Sequence, residues 1–234
     1  MNKIKILILG TGLVGKQVIQ TCENENFDYL TVDLSCADKL ADLTIPGNLT
    51  KILNEYEPNI VFNTAGVDQK LEDKNKSLNS FELHELPIEE WESIFDKNIN
   101  ITMNVAKESL SFFLNYESNI KRIIFTPSTY SFTSPKPLFY NSEKVKSFAY
   151  VASKTIEVSL VKYISKHYSS RGVLCNGLVP HLIIDKEIEI DEIYSPLMRS
   201  AKPEELNPAI SFLINPKNSY MTGEFVHING GWGN

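Results

Sequence analysis

Residues 4–15, IKILILGTGLVG, constrain this chain more than any other stretch. The apolar run shows no alternation between a wet and a dry side, so a strand there must be covered on both faces. It ends in glycines, and the spacing beyond them predicts a helix over 13–23. A strand buried on both faces belongs to a parallel sheet, and parallel neighbours need crossover connections. The rest of the chain supplies them. YLTVD (29–33) reads as a second strand and KLADLT (39–44) as a weak third. NLTKILNEYEP (48–58) spaces Leu49, Ile52, Leu53 and Tyr56 as a helix and closes at Pro58. NIVFNTAG (59–66) is a strand with a turn, 67–87 a polar loop, and 88–116 a long helix with a kink expected near Asn98. KRIIFTPS (121–128) is a strand, 131–146 a surface excursion with Pro135 and Pro137, and 147–169 a helix. GVLCNGLVP (172–180) is a strand and 182–194 an acidic loop; a helix over 202–215 starts after Pro203, and 223–228 is the last strand. This order predicts an α/β class: a single doubly wound domain over 1–234 with a central parallel sheet of about seven strands and helices on both faces.

Composition narrows the function. The net charge is −6 and no basic block stands out, which argues against nucleic acid as a partner. Three cysteines, Cys22, Cys36 and Cys175, form no paired or metal-ligand spacing, as expected of a reducing cytoplasm. The apolar N-terminal run is too short for a membrane span and lacks a cleavage site, so neither a membrane anchor nor a signal peptide is expected. His84 and His181 have no second ligand at metal spacing, and no metal is expected.

GTGLVG is G-x-G-x-x-G: Gly10, Thr11, Gly12, Leu13, Val14, Gly15. Between a strand and a helix it offers a tight turn, close backbone approach to a pyrophosphate, and open N–H groups at the helix start. Asp33 ends the second strand, 18 residues after Gly15, followed by Leu34. A carboxylate there accepts from ribose hydroxyls and repels an added phosphate, so NAD(H) is expected over NADP(H). Asp42, with Leu43, is a candidate acceptor for the adenine amino group; a loop acid or helix cap is the other reading.

Tyr150 and Lys154 sit four residues apart in SFAYVASKTI (147–156), a spacing many helices show by chance. Their company is more telling. The order GxGxxG, NTAG (Asn63, Thr64, Ala65, Gly66), Asn98, Ser128, YVASK (150–154), GLVP (177–180) and YMTGEFVHINGGW (220–232) resembles the short-chain dehydrogenase/reductase family over essentially the whole chain. That resemblance implies a Rossmann-type domain, with a cofactor half at about 1–120 and a catalytic and substrate half at about 121–234. It implies an NAD(H)-dependent oxidoreductase interconverting a carbonyl and an alcohol on a small polar, possibly sugar-related, molecule. Tyr150 would be the acid or base, and Lys154 would lower its pKa and hold the nicotinamide ribose. Ser128 would orient the substrate oxygen, and Asn98 would hold a water that links Lys154 to solvent. NTAG would end the fourth strand against the cofactor, with Pro180 and His181 bordering the nicotinamide. The long helices, 88–116 and 147–169, would pair into a homodimer or homotetramer interface.

Four features depart from the family pattern. The glycine turn is closer to that of extended members, and ILNEYEPNIVFNTAG (52–66) also looks like extended members that act on nucleotide sugars. Ser128 and Tyr150 are 22 residues apart, longer than usual, so 131–146 reads as a substrate-facing loop or a surface insertion. Pro180 is followed by His181 instead of glycine. The segment after it carries Asp185, Glu187, Glu189, Asp191 and Glu192, which disfavour a polyanionic substrate. Two other functions stay open: an NAD-recycling epimerase or dehydratase, and a sensor that binds NAD(H) without turnover. Singly, Ser128 could merely cap or turn, Asn98 could be a kink residue, and Tyr150–Lys154 a surface pair.

Overall fold

In the computed structural model, which describes residues 3–67, 84, 88–134, 147–184 and 195–233, the run after Lys5 is sealed on both sides: Ile6, Leu7, Ile8 and Leu9 are all fully buried. They form β1 (Lys5–Leu9), flanked by β2 (Asp28–Asp33) and β4 (Ile60–Asn63). β3 (Lys39–Leu40), β5 (Lys121–Phe125), β6 (Val173–Pro180) and β7 (Phe225–Ile228) complete a seven-stranded sheet among the described residues, in the order β3-β2-β1-β4-β5-β6-β7. Every pair is parallel.

Successive strand residues point to opposite faces, and each face has its own core. Leu7 and Leu9 pack with Val105, Phe113, Val161 and Ile164, beneath α2 (Asn48–Tyr56), α3 (Ile88–Asn115) and α4 (Phe148–Tyr168). Ile6 and Ile8 pack with Val18, Ile210 and Leu213, beneath α1 (Leu13–Asn24) and α5 (Asn207–Ile214). The chain leaves β1 toward β2 and β3, then returns to β4 on the other side. That reversal opens a crevice at the C-terminal ends of β1 and β4.

The expected elements appear in the expected order, and differences lie at their ends. The third strand is only Lys39–Leu40, because Asp42 turns the chain: its Oδ1 accepts from the Thr44 N–H (2.9 Å) and hydroxyl (2.7 Å). The strand expected to reach 128 stops at Phe125, and a 3-10 turn over Thr129–Ser131 follows with Ser128 as its cap. The helix expected over 202–215 opens as a 3-10 turn, Pro203–Leu206, before α5 begins. The last strand starts at Phe225, past Gly223 at φ +81°. α3 runs as α-helix straight through Asn98. α2 ends where Glu57 takes φ +53°, ahead of Pro58. Most of the loop 67–87, the excursion 131–146 and the acidic segment 182–194 lies outside the described residues. No helix among the described residues is long and apolar enough to cross a membrane.

Two buried charges tie distant elements to this frame. Glu108 on α3 accepts from the Gly47 N–H (2.8 Å), the Thr50 N–H (2.6 Å) and the Thr50 hydroxyl (2.7 Å), so it caps α2, whose own N-cap residue supplies no side-chain bond. Arg122 on β5 donates to the carbonyls of Leu213 (3.3 Å), Asn215 (2.5 Å), Pro216 (3.1 Å) and Asn218 (2.6 Å), which gathers the end of α5. Burial pulls the Arg122 pKa below its usual value, yet the four acceptors supply hydrogen bonds that water would otherwise make. Arg122→Met leaves those carbonyls short of donors and is expected to lower unfolding free energy by about 3 kcal/mol, read from the midpoint of a urea melt.

Candidate active site

The glycine turn is built for contact on two sides and openness on a third. Gly10 has φ +90°, and a Cβ there would lie 2.7 Å from the Ala65 nitrogen. A Cβ on Gly15 would lie 2.0 Å from the Gly10 carbonyl oxygen, so only a bare residue lets α1 start this close to β1. The Thr64 hydroxyl, 2.9 Å from both the Leu9 and the Gly10 carbonyls, fastens β4 beneath the same turn. Gly12 is different. A Cβ on it would meet nothing within 4 Å, and this residue caps α1 without any side-chain bond. The turn therefore presents an open, uncapped helix N-terminus, with Leu13 exposed and Val14 half-buried on the first helical turn. These residues fit a pyrophosphate.

Asp33 closes the side of this cradle. Its Oδ2 accepts from the Thr11 N–H (2.7 Å) and hydroxyl (2.8 Å), and its Oδ1 from the Leu34 N–H (2.6 Å). Desolvation pushes its pKa up, but the hydrogen bonds from Thr11, Leu34 and Ser35 outweigh that and hold the carboxyl below its usual value. Leu34 is exposed. Asp42 bonds within its own turn to Thr44, which lowers its pKa, while Leu43 is buried and its carbonyl accepts from Asn104 Nδ2 at 3.0 Å.

Across the crevice, α4 brings Tyr150 and Lys154 to the strand ends. Ser147 starts this helix, its hydroxyl accepting from the Tyr150 N–H at 3.3 Å. Lys154 is buried, which sets aside the surface-pair reading. Its ammonium donates to the Thr126 carbonyl at 3.0 Å and to Glu157 Oε1 at 2.7 Å. Gly66 borders it: a Cβ there would stand 3.4 Å from both Lys154 Nζ and Asn98 Oδ1. Asn98 is buried and heavily engaged. Its Oδ1 accepts from the Val67 N–H (2.7 Å), and its Nδ2 donates to the Val67 carbonyl (3.0 Å) and the Ser153 hydroxyl (3.0 Å). It ties the end of β4 to α4, and a bridging water is left with the second lone pair of Oδ1.

Ser128 follows β5. Its Oγ accepts from the Tyr130 N–H at 3.2 Å, so the capping reading of this serine holds; an accepting hydroxyl still has its O–H to donate. Pro180 and His181 end β6. The Pro180 carbonyl accepts from the Thr129 hydroxyl at 3.2 Å. The His181 ring stacks on Trp232 (centroids 5.2 Å apart, planes 6° apart) and meets Tyr130 edge-on at 6.0 Å. His181 also borders a cavity of about 160 Å³ shared with Leu182, Ser195, Leu197 and Arg199. His84 is exposed.

Residues 55–233 match the family model described as enoyl-(acyl carrier protein) reductase. The chain belongs to the short-chain dehydrogenase/reductase family. Over 150 residues it is 29% identical to the 3-oxoacyl-(acyl-carrier-protein) reductase FabG of Aquifex aeolicus, covering 61% of this chain and 56% of that protein. A short-chain dehydrogenase from Leptospira borgpetersenii, solved with bound NAD+, matches with a TM-score of 0.81 at 19% identity, over 100% of this chain and 94% of that one. ElxO, solved with NADP bound, matches with a TM-score of 0.80 at 17% identity, over 99% of each chain. At such identities the solved structures show the fold. Alignments with the curated relatives span 38% to 57% of those proteins' lengths for four of them, less than two thirds.

Within this short-chain dehydrogenase/reductase chain, two participants, Glu157 and the Thr126 carbonyl, escaped the sequence reading, as did the bond of the glycine-turn candidate Thr11 to Asp33. Glu157 pairs with Lys154, Thr11 clamps Asp33, and the Thr126 carbonyl receives the ammonium. Glu157 did leave a signal, a carboxylate on the same helical face as Tyr150 and Lys154. The Asp33 clamp has a pH consequence. Its contribution to stability is fully present above the unfolded carboxylate pKa of about 4 and is lost as pH falls through the lower folded value. Asp33→Asn is expected to lessen the fall in melting temperature below about pH 4. Gly15→Ala, by contrast, is expected to lower the melting temperature at every pH, because its methyl meets backbone.

Proposed function

We propose that this chain is a nicotinamide-dependent oxidoreductase that interconverts a carbonyl and an alcohol on a small polar, sugar-related molecule, with NAD(H) preferred over NADP(H). The observation that carries the reading is the placement of Lys154. Its buried ammonium lies one helical turn from Tyr150, beside Gly66 at the end of β4. A bound nicotinamide cofactor supplies or accepts the hydride. Everything else falls to this chain's own groups.

Tyr150 delivers the proton to the substrate oxygen in reduction and removes it in oxidation. A free phenol has a pKa of about 10, and the ammonium of Lys154 favours the phenolate, which brings proton transfer toward neutral pH. Ser128 donates its O–H to the same substrate oxygen while its own oxygen stays in the cap. Gly12 and the uncapped start of α1 receive the pyrophosphate. Asp33, held ionised by Thr11, accepts from ribose hydroxyls and repels a phosphate placed on them, which supports the NAD(H) preference. Met103 and Phe148 are exposed apolar residues on α3 and α4, and Tyr163 is a third on α4; they support assembly through those helices into a homodimer or homotetramer.

Tyr150→Phe is the decisive variant. Expected is a loss of turnover of about a thousandfold on a carbonyl substrate drawn from a panel, with NADH fluorescence titrating as in the parent. Parental turnover in that variant would overturn the assignment of the acid. In the same titration NADH is expected to bind more tightly than NADPH, and equal affinities would remove the role given to Asp33.

A further inference from the structure

Glu157 occupies a place suited to an apolar side chain. Tyr150, Lys154 and Glu157 follow one another at helical spacing on one face of α4. The core that this side of α4 joins holds Ile101, Val105, Val161 and Cys175. Yet Glu157 is 1% exposed. Its Oε1 lies 2.7 Å from the Lys154 ammonium and 3.5 Å from the Thr102 hydroxyl, and its Oε2 has no hydrogen-bond partner among the described residues. Burial pushes its pKa up, against the pull of Lys154. A buried ion pair with one oxygen left bare adds little stability over an apolar pair of the same volume. Stability alone therefore gives no reason for a carboxylate here.

Building on the reading of Tyr150 as the acid, we propose that Glu157 is a positioning residue, the counter-ion that keeps Lys154 an ammonium in its buried seat and so sets the pH at which the Tyr150–Lys154 pair gives up its first proton. Desolvation favours the neutral amine, and an adjacent carboxylate opposes that. The same negative charge disfavours a phenolate at Tyr150. Both effects act in one direction, so the pair holds its protons to higher pH than it would without Glu157. Because the two groups are coupled, the statement concerns the pair and not either member.

Among the described residues, the elements near this pair carry these other groups. α3 contributes Asn98 and Thr102, neither of which titrates; its Asp96 and Lys97 are exposed, and Glu108 is spent on the start of α2. β5 leads into the Thr126 carbonyl, β6 carries Cys175, whose thiol burial keeps protonated, and the 3-10 turn after β5 carries the Tyr130 phenol.

The test follows the first proton lost by the pair in the full chain, without turnover. Tyr150 is read by phenolate difference absorbance with Tyr150→Phe as the blank, and Lys154 by the nitrogen resonance of its side chain. In Glu157→Gln, which keeps volume and an acceptor, the lower of the two midpoints is expected to fall by about one pH unit. The alkaline limb of carbonyl reduction is expected to move with it. Glu157→Leu removes the charge in an apolar form and is expected to give the same shift should the glutamine variant fold poorly. Glu157→Asp keeps the charge and is expected to hold the parental midpoint. Unchanged midpoints in Glu157→Gln, with or without a change in melting temperature, overturn the proposal. Failure of the acid assignment shows separately, as parental turnover in Tyr150→Phe.

Discussion

A central strand with no wet face leaves the chain nowhere to put chemistry except at the strand ends. Ile6 to Leu9 are all sealed, and the same holds for Ile60 to Asn63 on β4. The apolar side chains on these strands pack into the two cores. What can reach a ligand lies just beyond them, where β1 gives way to Gly10, β4 to Thr64 and Gly66, and β5 to Thr126 and Ser128. The parallel arrangement brings all those ends to one edge, and the reversal between β1 and β4 separates their outgoing chains into a crevice. The position of the site follows from the burial of the sheet.

Within that crevice the glycines and Lys154 do complementary things. Gly10 and Gly15 remove side chains so that α1 and β4 close upon the turn, whereas Gly12 leaves space. On the other wall Lys154 fills space with charge, and its neighbours among the described residues include the Thr126 carbonyl, Gly66 and the buried Glu157. Asn98 makes the two walls one body by bonding to Val67 beyond β4 and to Ser153 on α4. A displacement of α4 would therefore be felt at the end of β4.

The sheet was legible because its signals are local and strong. The unbroken apolar run of β1, the acid at Asp33 and the ordered set from Gly10 to Lys154 each carry their own physical reason. Ends of elements were less legible. The sequence KLADLT has strand-like composition, but the bond from Thr44 to Asp42 competes for the same backbone. The strand toward Ser128 stops early because a serine cap offers the chain another turn. Pairings between distant residues were the least legible. Nothing in the local pattern says that Glu108 caps α2 or that Arg122 collects carbonyls some ninety residues away. Glu157 was different: a carboxylate one turn below a lysine on a core-facing stripe is readable once the stripe is drawn.

The bond between Thr11 and Asp33 links two properties that are usually treated apart. One oxygen of Asp33 serves the glycine turn, and the proposed function gives the same carboxylate a ribose to accept from. In the proposed reading, choice of dinucleotide and shape of the phosphate loop are thus written into a single side chain. Under that reading, replacing Asp33 alone to admit a phosphorylated cofactor would also unfasten Thr11. A successful redesign has to treat positions 11 and 33 as one unit, giving the loop a new anchor before its old one is withdrawn.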